Sequence, residues 1–246
     1  MADNIRQYGN EPFSVAVIHG GPGAAGEMAP VARELSRVCG ILEPLQTATS
    51  IAGQVQELQA VLKKHGCLPV TLIGHSWGAW LSLIFAARYP LLVKKLILVG
   101  SGPFEGKYAL GIMDTRLGRL SESERVQVHS LLETLPKSNV KYKNTALARF
   151  GELMAKTDAF DPLPLPNEEE IGCQGNQGNI FQKVWKEAQA LRRSGELLRL
   201  GKQVRCPVVA IHGDYDPHPA EGVEKPLAPI IEDFRFIRLK NCGHNP

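Results

Sequence analysis

The sequence predicts an α/β fold with a mostly parallel central sheet and helices on its flanks. Short apolar runs of strand length alternate along the chain with longer stretches whose apolar residues recur at helical spacing. This alternation is typical of a parallel sheet. The length of 246 residues and the hydrophobic content of 43% are sufficient for one sizeable core and an insertion.

Six strands are predicted, each as an apolar run bounded by residues that are typical of turns. They span residues 13–18, 40–44, 70–73, 93–99, 208–211 and 234–239. Helices are indicated between them by apolar residues at helical spacing. These residues are Met28, Val31, Leu35 and Val38; then Ile51, Val55, Leu58 and Leu62; then Leu81, Ile84 and Phe85 within a helix over 77–89.

The alternation of predicted strands and helices stops after residue 103, because the next hundred residues show helical stripes and no convincing strand. Ser121 and Glu124 form a capping box at the start of one of these helices. We therefore expect a first part of the core at residues 1–103, a helical insertion at 104–203 and a second part of the core at 204–246. The apolar stripes of the insertion are more simply explained by packing within it than by contact with a ligand.

Composition excludes several classes of protein. The net charge is +3, and basic residues are interleaved with acidic ones, so nucleic-acid binding is not expected. The five cysteines are far apart and form no C-x-x-C pair, which favours a reducing compartment. The N-terminus has no apolar core of signal-peptide length, and no later run is long enough to span a membrane. A cytoplasmic protein without membrane contact is expected, and its oligomeric state is left open.

The most informative motif is Gly74-His75-Ser76-Trp77-Gly78, which lies between the strand over 70–73 and the helix over 77–89. A serine on so tight a strand-to-helix turn leaves no room for side chains two residues before or after it, and glycines stand at both positions. This context predicts that Ser76 is a nucleophile. A serine hydroxyl needs a base, an orienting acid and an oxyanion site to react at neutral pH.

Candidates for all three groups follow other predicted strands. The strand over 13–18 ends in the glycine-rich loop His19-Gly20-Gly21-Pro22-Gly23, where the Gly21 amide could donate to an oxyanion. Asp214 and Asp216 follow the strand over 208–211, and His244 follows the strand over 234–239. The carboxyl ends of the strands are where open α/β sheets place their sites.

These motifs resemble those of the α/β-hydrolase superfamily, and the resemblance spans the whole chain. It implies an α/β-hydrolase fold in which the helical insertion is a cap between strands 6 and 7. It also implies that Ser76 is the nucleophile, His244 the general base and Asp216 the acid that orients the base. The amides of Gly21 and Trp77 would then be the oxyanion donors. The partner would be a small-molecule ester or amide, hydrolysed through an acyl-enzyme without a cofactor or a metal.

The loop over 19–23 is most similar to that of the proline iminopeptidase branch, although esterases and ring-cleavage-product hydrolases carry close variants. An aminopeptidase that releases N-terminal proline or another small residue is therefore the alternative within the class. The acidic run Glu168-Glu169-Glu170 could hold a substrate amine, but a solvated helix start is the simpler interpretation. Iminopeptidases have an acidic, glycine-rich segment where this chain has Gln46 to Ser50, which favours an ester substrate.

Within the loop after strand 208–211, the family pattern H-G-x-x-D fits Asp216. Asp214 is then expected to be a turn residue that bonds its own backbone. His19 and His75 are expected to be structural neighbours of the site, and His218 could replace His244 only if the chain took an unusual path. Cys242 is expected to be a small buried filler.

Two departures from the family concern the ends of the chain. Few residues precede the strand at Phe13, so the usual opening pair of antiparallel strands is expected to be largely absent. The chain stops two residues after His244, where relatives add a final helix. A small sheet is expected, with the base near a free end.

Two hypotheses from other classes stay open. His212, Asp214, Asp216 and His218 alternate in a way that could supply nitrogen and oxygen ligands to a metal-dependent hydrolase. That hypothesis would leave the serine turn unexplained. The chain could also be a non-catalytic ligand-binding protein on the same fold. Insensitivity to chelators would argue against the metal-dependent hydrolase. Turnover of activated esters would argue against the non-catalytic protein.

Overall fold

A computed structural model describes residues 4–134, 140–162 and 177–246. Within these residues, seven strands form one sheet. The strands are β1 (Ile5–Tyr8), β2 (Phe13–Ile18), β3 (Gly40–Pro44), β4 (Val70–His75), β5 (Val93–Val99), β6 (Val208–Gly213) and β7 (Phe234–Leu239). Their order across the sheet is β1-β3-β2-β4-β5-β6-β7. All neighbouring pairs are parallel except β1 and β3, so the predicted fold class is confirmed.

All six predicted strands are present, and β1 is an addition that the sequence did not predict. Its residues Ile5 to Tyr8 pair antiparallel with β3 and are only partly buried, so the strand lacks the apolar run that marks the others. One antiparallel strand therefore precedes β2 among the described residues, where a pair is usual in the family. For the same reason the helical insertion lies between β5 and β6 of this chain, rather than between strands numbered 6 and 7.

Nine α-helices lie within the described residues. They are α1 (Ala29–Leu35), α2 (Ile51–His65), α3 (Trp77–Arg88), α4 (Ile112–Gly118), α5 (Glu122–Thr134), α6 (Val140–Asp158), α7 (Gln177–Arg193), α8 (Glu196–Gly201) and α9 (Glu221–Leu227). Short 3-10 turns at Pro90–Leu92 and Gly106–Ala109 complete the set. The expected capping box is confirmed, since the Ser121 amide donates to Glu124 Oε2 (3.0 Å) and the Glu124 amide to Ser121 Oγ (3.4 Å).

The sheet is covered on both faces because successive strand residues point to opposite sides. Val17 and Ile41 pack with Ala32 of α1 on one face, while their neighbours Ala16 and Leu42 belong to the main core cluster. That cluster includes α3, whose residues from Trp77 to Ala87 are all buried. A helix that is apolar on every side is stable only when it is surrounded. The start of α3, which follows Ser76, is therefore held in place by packing on all sides.

The helix predicted from the stripe at residues 28–38 is shorter than expected. It ends at Leu35, where Ser36 begins a turn, and Val38 is 83% exposed. Val38 therefore lies outside the helix, and the predicted helical stripe extends too far. Apolar spacing alone does not show where a helix ends, because the turn residues here include no glycine or proline.

The inserted helices pack in two different ways. Leu120, Val128, Leu153 and Met154 form a separate cluster of α5, α6 and the segment before α5, as expected for packing within the insertion. The stripe of α7, in contrast, belongs to the main core through Ile180, Val184 and Ala188. Helix α7 is therefore part of the core packing, which the sequence did not predict.

Aromatic contacts join α7 to the start of α3. The Trp185 ring stacks on the Trp80 ring at a centroid distance of 6.0 Å and an interplanar angle of 9°. Phe181 stacks on Trp185 at a centroid distance of 6.1 Å, and Trp77 meets Trp80 edge-on at 6.4 Å. Stacked and edge-on aromatic pairs add to the stability that burial provides.

No helix in the described part of the chain is long and apolar enough to cross a membrane. The four cysteines within the described residues, Cys39, Cys67, Cys206 and Cys242, are free thiols. Cys173 and the acidic run Glu168-Glu169-Glu170 lie outside the described residues.

Candidate active site

Ser76 lies on a strained turn between β4 and α3. Its φ angle is +51°, in a backbone region that residues other than glycine rarely adopt. The flanking glycines are required by close backbone contacts. A Cβ atom on Gly74 would lie 2.2 Å from the Gly78 carbonyl oxygen, and a Cβ atom on Gly78 would lie 2.3 Å from the Ile18 carbonyl oxygen. The turn therefore presents the serine at the carboxyl edge of the sheet, next to the end of β2.

His244 follows β7 and reaches Ser76 directly. Its Nε2 atom lies 2.9 Å from Ser76 Oγ. Its backbone is held on two sides, because its amide donates to the Asp158 carbonyl at 2.8 Å and its carbonyl accepts from His75 Nε2 at 3.2 Å. Gly100 leaves room for this loop, since a Cβ atom there would lie 2.4 Å from the His244 carbonyl oxygen. The imidazole is thus fixed in hydrogen-bonding position to the serine.

Asp216 follows β6 and has a fully buried carboxylate. Its Oδ2 atom lies 2.7 Å from His244 Nδ1, and its Oδ1 atom accepts from the amide and from Nδ1 of His218 at 2.9 and 2.8 Å. Burial raises the pKa of Asp216, but the facing imidazoles of His244 and His218 outweigh it and hold this pKa well below its usual range. An ionised carboxylate accepts hydrogen bonds only, so it selects the His244 tautomer with the proton on Nδ1.

The structure brings Asp216, and not Asp214, to the histidine. Asp214 is exposed, and its Oδ1 atom accepts from the Cys242 amide at 3.3 Å. Asp214 therefore joins two loops, instead of bonding its own backbone as expected. Cys242 is only partly buried, so the expectation of a buried filler was wrong in that respect.

The glycine-rich loop after β2 lies against the serine turn. A Cβ atom on Gly20 would lie 3.2 Å from Ser76 Cβ. The Gly20 amide already donates to Glu27 Oε2 at 2.9 Å, whereas Gly21 has a φ angle of +29° that turns its peptide relative to that of Gly20. Trp77 is the first residue of α3, and the first amides of a helix have no acceptor within it. Gly20 thus lies against Ser76 on one side, and Trp77 follows Ser76 at the start of α3.

Glu27 is a neighbour of the site that sequence reasoning missed. Its second oxygen, Oε1, lies 3.6 Å from His75 Nδ1, so the carboxylate joins the glycine-rich loop to the residue before Ser76. Partial burial would raise the pKa of Glu27, but the charge of His75 outweighs it and lowers this pKa to about 2. No sequence pattern marks Glu27, because it is a single acidic residue in a loop.

His75 and His19 flank the site without contacting the serine hydroxyl, as expected of structural neighbours. Burial lowers the pKa of His75, but the Glu27 carboxylate more than compensates and raises it above the usual value of 6.5. The His19 ring is completely buried, and its Nδ1 atom donates to the Gly20 carbonyl at 2.8 Å. Burial lowers the pKa of His19 and favours its neutral form.

His218 lies beside His244 rather than in its place. The two rings have centroids 4.6 Å apart, and burial lowers the pKa of His218 to about 4 despite its bond to Asp216. His212 contacts both His218 and Asp216 through Nε2. This atom donates to the His218 carbonyl at 2.7 Å and lies 3.3 Å from Asp216 Oδ2. The four residues suggested as ligands of a catalytic metal do not converge, because Asp214 faces away to Cys242.

Inserted helices hold the loops that carry Asp216 and His244. Arg116 of α4 forms a bidentate ion pair with Asp158 at the end of α6, and the Asp158 carbonyl binds the His244 amide. Arg119 donates to the carbonyls of Thr157 and Tyr215 at 2.7 and 2.8 Å. Its guanidinium lies 3.6 Å from the centroid of the Tyr215 ring, which adds a cation–π contact.

Comparison with known proteins agrees with this fold. Residues 15–246 match the family model described as alpha/beta hydrolase fold. The chain is 25% identical over 249 residues to a pimeloyl-[acyl-carrier protein] methyl ester esterase of Chromobacterium violaceum, covering 98% of this chain and 91% of that protein.

Solved structures with lower identity show the same fold. The protein lip1 of Acinetobacter baumannii AYE, a candidate lipase, has a TM-score of 0.71 at 21% identity, over 98% of this chain and 81% of that one. A proline iminopeptidase of Mycobacterium smegmatis has a TM-score of 0.67 at 17% identity, over 98% and 87% of the two chains. Because the family model matches nearly the whole chain, the protein belongs to the α/β-hydrolase fold family.

Proposed function

We propose that the protein is a serine hydrolase that cleaves a small ester through an acyl-enzyme. The observation that carries the proposal is the continuous pair of hydrogen bonds from Ser76 Oγ to His244 Nε2 (2.9 Å) and from His244 Nδ1 to Asp216 Oδ2 (2.7 Å). Two bonds in series on one imidazole are what a serine nucleophile needs for activation.

In the proposed reaction, Ser76 Oγ attacks the acyl carbon while His244 Nε2 accepts the hydroxyl proton. The negative charge that develops on the carbonyl oxygen is stabilised by the amides of Gly21 and Trp77. His244 then returns the proton to the leaving oxygen, and the C–O bond of the ester breaks. A water molecule, deprotonated by the same imidazole, releases the acid and restores Ser76.

Asp216 stays ionised throughout this cycle. Its carboxylate stabilises the His244 imidazolium that forms after proton transfer and keeps the ring in one tautomer. The low pKa of Asp216 supports this role, since a group that ionises far below neutrality does not take up the proton.

An ester is favoured over a substrate with a free amino terminus. An aminopeptidase needs a carboxylate that is free to pair with the substrate ammonium. Glu27 and Asp216 are the carboxylates described next to the serine turn. Glu27 already accepts from Gly20 and lies 3.6 Å from His75, and Asp216 already accepts from His218 and His244. A relative named as a methyl ester esterase also supports the ester. The runner-up is an aminopeptidase that uses Glu168, Glu169 or Glu170.

We also propose that residues 104–203 act as a cap that shapes the substrate pocket. The contacts of Arg116 and Arg119 with the C-terminal end of α6 and with Tyr215 support this role. They place the inserted helices directly beside the loops that carry Asp216 and His244.

Fluorophosphonate labelling followed by a substrate panel tests the proposal. We expect covalent labelling of Ser76 and faster turnover of short-chain p-nitrophenyl esters than of proline arylamide, both unaffected by EDTA. Labelling of a different serine would contradict the assignment. Loss of turnover with EDTA would favour a metal-dependent hydrolase, and ligand binding without turnover would favour a non-catalytic protein.

The runner-up is tested by substituting Glu168, Glu169 and Glu170 together with Gln. Ester turnover should barely change. Efficient cleavage of proline arylamide that collapses in this triple variant would favour the aminopeptidase, because loss of the partner of a buried charge typically costs about 2 to 5 kcal/mol of binding.

A further inference from the structure

The Asp216 carboxylate has more imidazole partners than a triad requires. His244 Nδ1 lies 2.7 Å from Oδ2, and His218 Nδ1 lies 2.8 Å from Oδ1. The two rings also contact each other, with centroids 4.6 Å apart and planes inclined by 32°. One ligand atom from each of Asp216, His218 and His244 lies within 4.8 Å of the others. Two ring nitrogens thus converge on one carboxylate.

This donor set suits a divalent transition metal. Two imidazole nitrogens and a carboxylate oxygen are common ligands of Zn²⁺, at about 2.0 to 2.2 Å from the ion. In a tetrahedral site such ligands lie about 3.4 Å from one another, so the present nitrogen–oxygen distances would need to open by about 0.6 Å. The side chains of His218 and His244 are 14% and 10% exposed, and that of Asp216 is fully buried. An ion would therefore enter from the histidine side, and water would complete its coordination.

We propose that Asp216, His218 and His244 bind a divalent transition-metal ion such as Zn²⁺ and that the bound ion inhibits the hydrolase. The inhibition rests on the proposed function, whereas the binding does not. A neutral imidazole that coordinates the ion through Nδ1 carries its remaining proton on Nε2. His244 would then have no lone pair facing Ser76 Oγ, so the imidazole could not accept the hydroxyl proton. No proton is released from either imidazole, because His218 and His244 each exchange the proton on Nδ1 for one on Nε2.

His218 is the residue that belongs to the proposed metal ligands but not to the proposed catalytic residues. Acyl transfer uses Ser76, His244 and Asp216, and the ion uses His218 in addition. His212 does not belong to the proposed metal ligands, because its Nε2 atom donates to the His218 carbonyl. That bond instead holds the backbone at His218 in place.

Binding is tested with Co²⁺, whose visible absorption reports nitrogen and oxygen ligands, and with Zn²⁺ as competitor. We expect one Co²⁺ per chain in the wild-type protein and in Ser76→Ala. His218→Asn keeps an N–H donor for Asp216 but loses the ring nitrogen, so its affinity should fall about tenfold or more. His129→Asn on exposed α5 is the matched control and should bind as the wild type does, as should Cys242→Ser. Equal affinity in His218→Asn, or no binding up to millimolar Co²⁺, would overturn the site.

Inhibition is tested by the rate of fluorophosphonate labelling with increasing Zn²⁺. We expect the rate to fall with Zn²⁺ and to recover with EDTA. The half-inhibitory concentration in His218→Asn, taken relative to that variant's own metal-free rate, should rise about tenfold or more. An equal half-inhibitory concentration in both proteins would overturn the mechanism. The Co²⁺ measurement needs no turnover, so it decides the metal site even if Ser76 is not labelled.

Discussion

The amide of His244 donates a hydrogen bond to the carbonyl of Asp158 at a distance of 2.8 Å, which joins the end of α6 to the loop of the proposed base. The Asp158 side chain forms the buried ion pair with Arg116. Gly243 allows this approach, because a Cβ atom there would lie 2.1 Å from the Asp158 carbonyl oxygen. An inserted helix and the proposed base are thus positioned together.

Asp158→Asn should lower both stability and the rate of acylation. The substitution leaves Arg116 with a buried charge that lacks its partner, which typically costs about 3 kcal/mol or more. If the ion pair positions His244, kcat should fall more than KM rises. Chemical unfolding and ester kinetics measure the two effects. Arg149→Ala, which removes an exposed ion pair on the same helix, is the control and should cost less than about 1 kcal/mol. An unchanged kcat in a folded Asp158→Asn protein would separate the ion pair from catalysis.

Ser76→Ala should abolish fluorophosphonate labelling and lower ester turnover by about three to six orders of magnitude. The reason is that no other hydroxyl is bonded to His244 Nε2 among the described residues. Mass spectrometry of the labelled protein measures the outcome. Ser82→Ala on the same helix is the control, because Ser82 is buried without a hydrogen-bond partner among the described residues. Labelling that persists in Ser76→Ala would contradict the proposed nucleophile.

Asp216→Asn should reduce kcat by about ten-thousandfold, whereas Asp214→Asn should reduce it by about tenfold or less. An amide at position 216 no longer stabilises the imidazolium and can favour the wrong tautomer of His244. An amide oxygen at position 214 can still accept from the Cys242 amide, so the loop is retained. Steady-state ester kinetics on both variants decide between the two acids. Similar losses at both positions would leave the assignment to Asp216 without support.

The ion pair of Glu27 and His75 should make stability depend on pH. The folded pKa of Glu27 is lowered from 4.5 to about 2, so its contribution is present above pH 4.5 and is lost as pH falls toward 2. The folded pKa of His75 is raised above 6.5, so its contribution is present below pH 6.5 and is lost as pH rises through the raised value. The destabilisation caused by Glu27→Gln should therefore be largest between about pH 4.5 and 6.5.

This difference is measured as Tm of the wild type minus Tm of Glu27→Gln from pH 4 to 9. The Glu27 side chain is 39% exposed, so solvent screens the pair and a small difference is expected. Glu34→Gln, which removes an exposed ion pair with Arg37, is the control and should show no maximum in this range. A constant difference across the range would mean that the pair does not titrate as described.

Two glycines should respond to alanine in opposite ways. Gly78→Ala places a Cβ atom 2.3 Å from the Ile18 carbonyl oxygen, so the end of β2 or the start of α3 must move and labelling of Ser76 should be lost. Gly151→Ala in α6 meets no atom within 4 Å and should stabilise the protein by about 0.5 to 1 kcal/mol. Thermal unfolding and labelling test both. A Gly78→Ala protein with full labelling would contradict the close packing of the turn.

The strands of the sheet and the position of Ser76 could be predicted because local sequence determines them. An apolar run of strand length stays recognisable without tertiary contacts, and the glycines around Ser76 reflect backbone approach within a few residues. The edge strand β1 could not be predicted in this way, because its residues are only partly buried and its pairing with β3 depends on a distant segment.

The remaining parts of the site depend on contacts between distant residues. Arg116 and Asp158 are 42 residues apart in the chain, and nothing in either local sequence indicates the other. The same holds for Glu27, whose partners Gly20 and His75 come from the loop after β2 and from the end of β4. Asp214 and Asp216 both follow β6, and the path of the loop decides which carboxylate faces His244. The family pattern favoured Asp216, but sequence spacing alone could not distinguish the two.

The aromatic contacts at the start of α3 have a spectroscopic consequence. The chain contains three tryptophans, and all three lie in one connected cluster, since Trp77 contacts Trp80 and Trp80 stacks on Trp185. Intrinsic tryptophan emission therefore comes from a single place, where the helix that follows Ser76 meets α7. A shift in that emission on adding a substrate analogue or a metal ion would report a change at this junction without any attached dye.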